Sequence, residues 1–483
     1  MQLSFQHFVK LTGLPIFILS LSTTSAIASD FHKVEDGYTY RFKVSTSVNA
    51  SNKGSGSDDS KCTLTKSQLV EKINNNDDVT GACTSNITDM SNLFAGNTSF
   101  NQDISMWDVS NVTNMTGIFK GAHLFNQNIN SWDVSNVTSL SQAFMGASAF
   151  NQPLDNWNTS KVASISSIFN GASSFNQNIN SWDTSSLFTV EGAFAQADSF
   201  NQPLDEWDTS NIWYMDNLFY RAGSFNQNIN SWDTGKLKSM DGIFYYAISF
   251  NQPLDQWNTD NLTSLENVFS LAKSFNQDIS SWNVSNVKTF KNLFHDAKSF
   301  NQPLSSWDTS NVELMISAFA GASSFNQELN SWNTSKVVDM RFMFSGASDF
   351  NRAISSWNTS QVTNMSYMFN RTNAFDQPLY NFDTSKVTKM HNMFSDSLAF
   401  NQPINHFNTA NVDDMKSMFS GSKSFNQPIN SWNTGKVSNM RQMFSFSSFN
   451  QDISNWDVNS VTIWDNFASN SELTEDKIPS KFR

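Results

Sequence analysis

The sequence predicts a repeat solenoid of about fifteen 25-residue coils, carried by three observations. Phe recurs at Phe100, Phe125, Phe150 and every 25 residues to Phe425, then at Phe449 after a one-residue deletion. Trp follows seven residues later, from Trp107 to Trp456, with Phe382 and Phe407 in its place twice. Composition is skewed to match: 43 Phe and 15 Trp stand against 9 Pro in 483 residues, and only 15 % are charged. One short unit written many times produces such bias.

The first element is an export signal over residues 1–28. Lys10 supplies positive charge, residues 11–21 are apolar but interrupted by Gly13 and Pro15, and Ala26-Ile27-Ala28 fits a cleavage site. The apolar run is too short to span a bilayer comfortably. No stable membrane insertion is therefore expected after cleavage. Residues 29–60 follow as an N-terminal segment and linker, with one short strand over 38–44 and a Ser/Asn/Gly-rich stretch over 45–60.

Residues 61–86 read as an N-terminal cap. Thr65 is placed to N-cap a helix running through Ile73, with Leu69, Val70 and Ile73 on one face. Cys62 and Cys83 are the chain's two cysteines, and in an oxidising compartment they are expected to pair. They lack C-x-x-C spacing and a nearby His, so no metal site is expected there.

The solenoid occupies residues 87–467. Thirteen of the fifteen units open with Phe-Asn-Gln; Arg352 and Asp376 mark the exceptions. Between these come a second Phe column (Phe94, Phe119 to Phe444), a Val column (Val112, Val137) and a Met/Leu column (Met115, Leu140). One coil cannot bury enough apolar surface to offset the cost of ordering it, about 1–2 kcal/mol per residue for backbone alone. Stacked coils share one core, Phe on Phe and Trp on Trp. Asn-Gln is expected to form a structural ladder between coils, and the Asp/Asn after each Trp (Asp108, Asp133, Asn158, Asp183) a turn. Val112, Met115, Ile118, Phe119 and Ala122 have helical spacing, whereas residues 107–112 read as extended. Each coil is thus expected to be a short strand plus a short helical segment, leucine-rich-repeat-like, with a parallel β-helix as the alternative. Residues 468–483 read as a C-terminal cap.

The unit Phe-Asn-Gln-x-Ile-x-x-Trp-Asp-x-Ser-x-Val-x-x-Met-x-x-Met-Phe is well shown by residues 351–369, NRAISSWNTSQVTNMSYMF. It resembles the repeat of BspA-like leucine-rich-repeat surface proteins, and more closely the bacterial surface-protein repeat called DUF285. The resemblance covers residues 87–467. It implies an exported, surface-associated solenoid whose role is adhesion or host interaction, and it supplies no catalytic residues.

The net charge of −13 disfavours phosphate backbones and anionic lipid, so no nucleic-acid partner is expected. The six His are scattered and no H-E-x-x-H, G-x-S-x-G or phosphate-loop context occurs, so neither enzyme chemistry nor a cofactor is expected. Asp155, Asp205 and Asp255 share a column two coils apart. Thr159, Thr184, Thr209, Thr234 and Thr259 form another, without the second Thr column an ice-binding face needs. Large apolar residues in unconstrained columns need a reason. Phe188 and Trp213 share one such column and Tyr220 and Tyr245 another, with Tyr214, Arg221 and Tyr246 beside them. These seven are expected to form one exposed aromatic patch, made of residue types favoured in binding hot spots and able to stack on sugars. The sequence therefore points to an exported or surface binding and adhesion protein with an extracellular protein or glycan partner. The alternative is a structural, self-associating surface protein.

Overall fold

A computed structural model describes residues 32–35, 38–41 and 62–483. The expected export signal over 1–28 and the expected linker over 45–60 lie outside the described residues. The strand expected over 38–44 is β2 (Tyr38–Arg41), paired antiparallel with β1 (His32–Glu35) in the register His32 to Arg41.

The second compact unit runs from Asp59 to Arg483. It opens on α1 (Lys66–Asn74), held by a capping box. Thr65 Oγ1 accepts the Gln68 N–H at 3.3 Å while Gln68 Oε1 accepts the Thr65 N–H at 2.9 Å. Leu69 and Ile73 are buried against the first coil. Cys62 and Cys83 are disulfide-bonded, as expected.

The coils stack as a repeat solenoid, but their local structure differs from strand plus helix. Each contributes one residue to a parallel bridge, Asn114 to Ser139 to Ser164 and onward to Ile463. Among the described residues no coil contains a helix or a longer strand. The stretch 112–122 is a run of tight turns whose amides alternate in destination. The N–H groups of Met115, Gly117, Phe119 and Gly121 reach the next coil, at Ser139, Ser141, Ala143 and Met145. Those of Ile118, Lys120 and Ala122 close turns on Met115, Gly117 and Phe119. A helix would spend every amide within its own coil and leave none to stack with. Positive φ at Gly117 and Gly121 produces the alternation. The helical spacing arises because consecutive turns also return side chains to the core face every three or four residues.

Within the core, Phe125 and Phe150 stack with centroids 5.8 Å apart, Phe119 and Phe144 5.4 Å, and Trp107 and Trp132 6.4 Å. The polar columns are ladders. Asn101 Oδ1 accepts the Asn126 N–H at 2.9 Å and Gln127 Nε2 at 3.0 Å, and the pattern repeats along the stack. Asp376 fills this role unchanged, accepting from Asn401 N–H and Gln402 Nε2. In the Trp column each indole N–H donates to a carbonyl of the preceding coil, as Trp132 Nε1 does to Ile104 at 3.1 Å. Asp108 Oδ1 accepts the Ser110 N–H at 3.0 Å, the turn expected after Trp. The Thr column is buried, not a surface array: Thr159, Thr184 and Thr209 each donate to a carbonyl of the next coil.

Both ends are closed. At the first coil Gln102 Oε1 accepts the Val79 N–H at 2.8 Å. At the last, Phe482 stacks on Trp464, and Lys481 Nζ donates to the Val458 and Val461 carbonyls at 2.9 and 2.7 Å.

Candidate binding surface

The ribbon of turns has two columns of left-handed residues. One reads Gly121, Gly146, Gly171, then Gln196, Arg221, Tyr246, Leu271, Asp296, then Gly321 and Gly346, all at positive φ. Left-handed backbone costs a residue with a Cβ about 1–2 kcal/mol. Gly occupies both flanks of this run, yet five consecutive coils carry larger residues, with φ of 57° at Arg221 and 60° at Tyr246 and Leu271; Arg371, Asp396, Phe446 and Asn470 repeat the substitution further along, in shorter runs. Strain kept where glycine would fit directs attention to function.

The side chains there are organised. Tyr220 and Tyr245, on adjacent coils, stack with centroids 5.1 Å apart. The Arg221 guanidinium lies 5.2 Å from the Tyr246 ring centre, and Lys273 Nζ lies 5.9 Å from the same ring. Ile248 is exposed nearby in the sequence of the same coil.

Phe188 and Trp213 are exposed, at 49 % and 41 %. They lie at the start of the ribbon, whereas Tyr220, Arg221, Tyr245 and Tyr246 lie toward its end. No ring stacking or cation–π contact among the described residues joins Phe188 to Trp213 or either to the tyrosines. The Tyr220–Tyr245 stack and the Lys238–Trp213 pair are separate contacts within the expected patch. Tyr214 is half-buried and belongs to the bridge ladder, between Thr189 and Ser239.

Between them in sequence runs a carboxylate column. Asp216 accepts from the Ser239 hydroxyl and the Asp241 N–H, and Asp241 from the Ser264 hydroxyl and the Glu266 N–H. Burial, aided by the neighbouring Asp216 and Glu266 charges, holds the Asp241 carboxyl above its ordinary range despite the Ser264 hydrogen bond. Lys291 Nζ closes the column on Glu266 at 2.6 Å. Asp155, Asp205 and Asp255 are instead each bonded by an Asn side chain of the preceding coil. Among the described residues no group of three or more His, Cys, Asp or Glu could hold a metal ion. Nor is any helix there long and apolar enough to cross a membrane.

Sequence reasoning missed the cations. Lys238 Nζ sits 3.9 Å from the Trp213 ring centre, and Trp213, Gly235, Lys236, Lys238, Asn261 and Thr263 line a shallow depression. Lys238 stands 25 positions after Trp213, in the same column one coil on, so the column logic could have found it; Lys236 is brought to the depression only by the closed coil. A further aromatic pair, Phe342 on Tyr367 at 4.4 Å with His391 edge-on at 5.3 Å, obeys the same 25-residue column logic and was detectable by it.

The family described as "Mycoplasma protein of unknown function, DUF285" matches five overlapping stretches: residues 65–165, 152–247, 229–330, 302–397 and 375–481. No curated protein matches the sequence. Among solved structures, the crystal structure of a TLR13–ssRNA13 complex aligns over 77 % of this chain and 67 % of that one, at 11 % identity and a TM-score of 0.21. A likeness that weak carries no argument about this chain.

Proposed function

The chain belongs to the DUF285 family, and from that premise we propose that it is an exported binding and adhesion protein whose solenoid presents an aromatic–cationic surface to an extracellular protein or glycan. The carrying observation is the run Gln196, Arg221, Tyr246, Leu271 and Asp296 at left-handed positions, beside the Tyr220–Tyr245 stack. Tyr supplies large contact area on two rotatable bonds and Arg a planar fork of donors, which suits a recognition surface. The N-terminal apolar segment and the Cys62–Cys83 disulfide support an oxidising, extracellular setting. The leucine-rich-repeat kinship with BspA-like surface proteins belongs to this reading, as do the absence of a nucleic-acid partner and of catalysis. Closed caps weigh against end-to-end assembly as the primary role.

The test is a screen of residues 29–483 against glycan and extracellular-protein arrays, beside a Trp213→Ser/Tyr220→Ser/Tyr245→Ser variant. All three positions are exposed or half-buried, so the variant is expected to fold. A hit weakened about tenfold or more supports the surface, since hot-spot truncation commonly costs over 1 kcal/mol. A hit of undiminished strength in the variant removes it.

A further inference from the structure

The bridge ladder that runs from Asp89 to Ile463 is interrupted once, between Ser239 and Ser264. Beside it, a second ladder links the residue before each bridge residue to the carbonyl one coil back, from Thr113 on Thr88 to Thr462 on Ser438. It too lapses at one place, where Thr263 N–H makes no bond to the Lys238 carbonyl. Thr113 and Thr138 also donate their hydroxyls along this ladder, and Thr263 does not. Thr263 is exposed and lines the depression with Lys238, and its N–H, its hydroxyl and the Lys238 carbonyl make no hydrogen bond among the described residues.

The depression is chemically specific. Trp213 offers an indole, with Lys238 over its face at 3.9 Å. Lys236 Nζ makes one bond, to Asn211 Oδ1 at 2.7 Å, and has two further donors. Asn261 commits its Nδ2 to the Gly235 carbonyl at 2.9 Å, which leaves Oδ1 to accept. Nearby carboxylates are already engaged: Asp233 by the Gly235 N–H, Asp260 by Asn283 Nδ2, and Asp208, close enough to feel the Lys236 charge, by the Ser210 N–H. Two ammonium groups and no lining carboxylate thus meet in a chain of net charge −13.

Resting on the binding reading above, we propose that this depression is a subsite for a carboxylate-bearing pyranose, a uronic or nonulosonic acid residue of a glycan. The sugar carboxylate is received by Lys238, Lys236 and the Thr263 N–H and hydroxyl, its ring packs against the part of the Trp213 indole that Lys238 leaves uncovered, and a ring hydroxyl donates to Asn261 Oδ1. Charge-assisted contacts supply orientation, and the aromatic supplies area. Neutral sugars lack the group that the two lysines select.

The experiment is calorimetry of residues 29–483 with a glucuronate-containing tetrasaccharide, with sialyllactose, and with the carboxyl-reduced form of each. Variants are Lys238→Met, Trp213→Ser and, as a control at the tyrosine stack, Tyr220→Ser/Tyr245→Ser, with circular dichroism verifying each fold. Expected is binding of one acidic probe, lost on carboxyl reduction and weakened about tenfold or more by Lys238→Met and Trp213→Ser, the loss of one charge-assisted or stacking contact. Which acidic probe binds tells uronate from nonulosonate. No binding of either probe, or binding indifferent to Lys238→Met or to carboxyl reduction, overturns the subsite. An array partner lost only in the tyrosine variant also overturns it, while leaving the broader binding function standing.

Discussion

His406 makes the hydrogen bond that Phe407 cannot. Elsewhere the indole N–H in this column donates to a carbonyl of the preceding coil, as Trp432 Nε1 does to Ile404 at 3.1 Å. With Phe407 in the column, the Leu379 carbonyl is met instead by His406 Nε2 at 3.1 Å. Restoring the indole should therefore make the imidazole redundant. His406→Ala is expected to cost up to about 1 kcal/mol in the native chain, the loss of the second of two hydrogen bonds to a carbonyl that keeps the Phe382 N–H at 3.0 Å. The same change in a Phe407→Trp background should cost close to nothing. Urea unfolding of the four proteins in a double-mutant cycle measures the coupling, and additive losses would show that the two do not share the carbonyl.

The Asn ladder predicts an asymmetry between two substitutions at one position. Asn226 Oδ1 accepts the Asn251 N–H at 2.9 Å and Gln252 Nε2 at 3.2 Å. Asn226→Ala leaves both donors unpaired and should lower stability by about 1–3 kcal/mol. Asn226→Asp keeps the acceptor, as Asp376 does naturally, and should cost much less. Equal losses on denaturation would mean that the ladder depends on the amide nitrogen rather than the oxygen.

Tyr246 should trade stability for function. Its φ of 60° favours glycine, while its ring meets Arg221 and Lys273 on a solvent-facing surface. Tyr246→Gly is expected to leave stability unchanged or raise it by about 1 kcal/mol as left-handed strain is relieved, and to weaken partner binding. A thermal midpoint that falls by several degrees would identify the ring as structural.

Lys477 closes the ladder where a further coil would add its own Asn-Gln pair. Its Nζ lies 2.9 Å from the Asn450 carbonyl and 3.0 Å from Asn450 Oδ1. Deleting residues 468–483 removes this ammonium, Lys481 and the Phe482 ring that covers Trp464. The truncated chain is expected to self-associate with concentration, as solenoids do without their terminal caps. Light scattering that stays monomeric would show the last coil to be self-sufficient.

Acid should weaken the Asx turns. Ser hydroxyls first, and backbone N–H groups second, hold Asp133, Asp208, Asp308 and Asp383 below their ordinary 3.8. Because the folded value is depressed, that stability is present above pH 3.8 and is lost as pH falls through the folded value. Sister coils carry Asn158 and Asn283, which accept the same N–H without titrating. Changing all four Asp to Asn should thus move the acid-unfolding midpoint to lower pH. Asp241 has the opposite sign: its raised value makes its contribution complete below pH 3.8 and lost as pH rises through the folded value. Asp241→Asn should accordingly raise the thermal midpoint at pH 7 and not at pH 3. Thermal melts across pH check both directions.

Much of this protein was written in its sequence, because a repeat reports its own register. The period, the Phe and Trp stacks, the Asn-Gln ladder, the Thr65 cap and the cysteine pair all follow from identity at a fixed spacing. In a stack, each residue's main neighbour is its counterpart 25 positions away. The sequence likewise indicated which exposed columns were unusual, and so located Trp213, Tyr220, Arg221 and Tyr245. What periodicity could not reveal is where the backbone amides go. Consecutive turns and a helix bring side chains to one face at similar spacing, and only the stack shows alternate N–H groups leaving for the next coil. The unpaired edge at Thr263 and the gathering of Lys236 and Asn261 beside Trp213 were decided by that same ribbon. They depend on where one coil pairs with the next and where it does not, which tertiary packing sets.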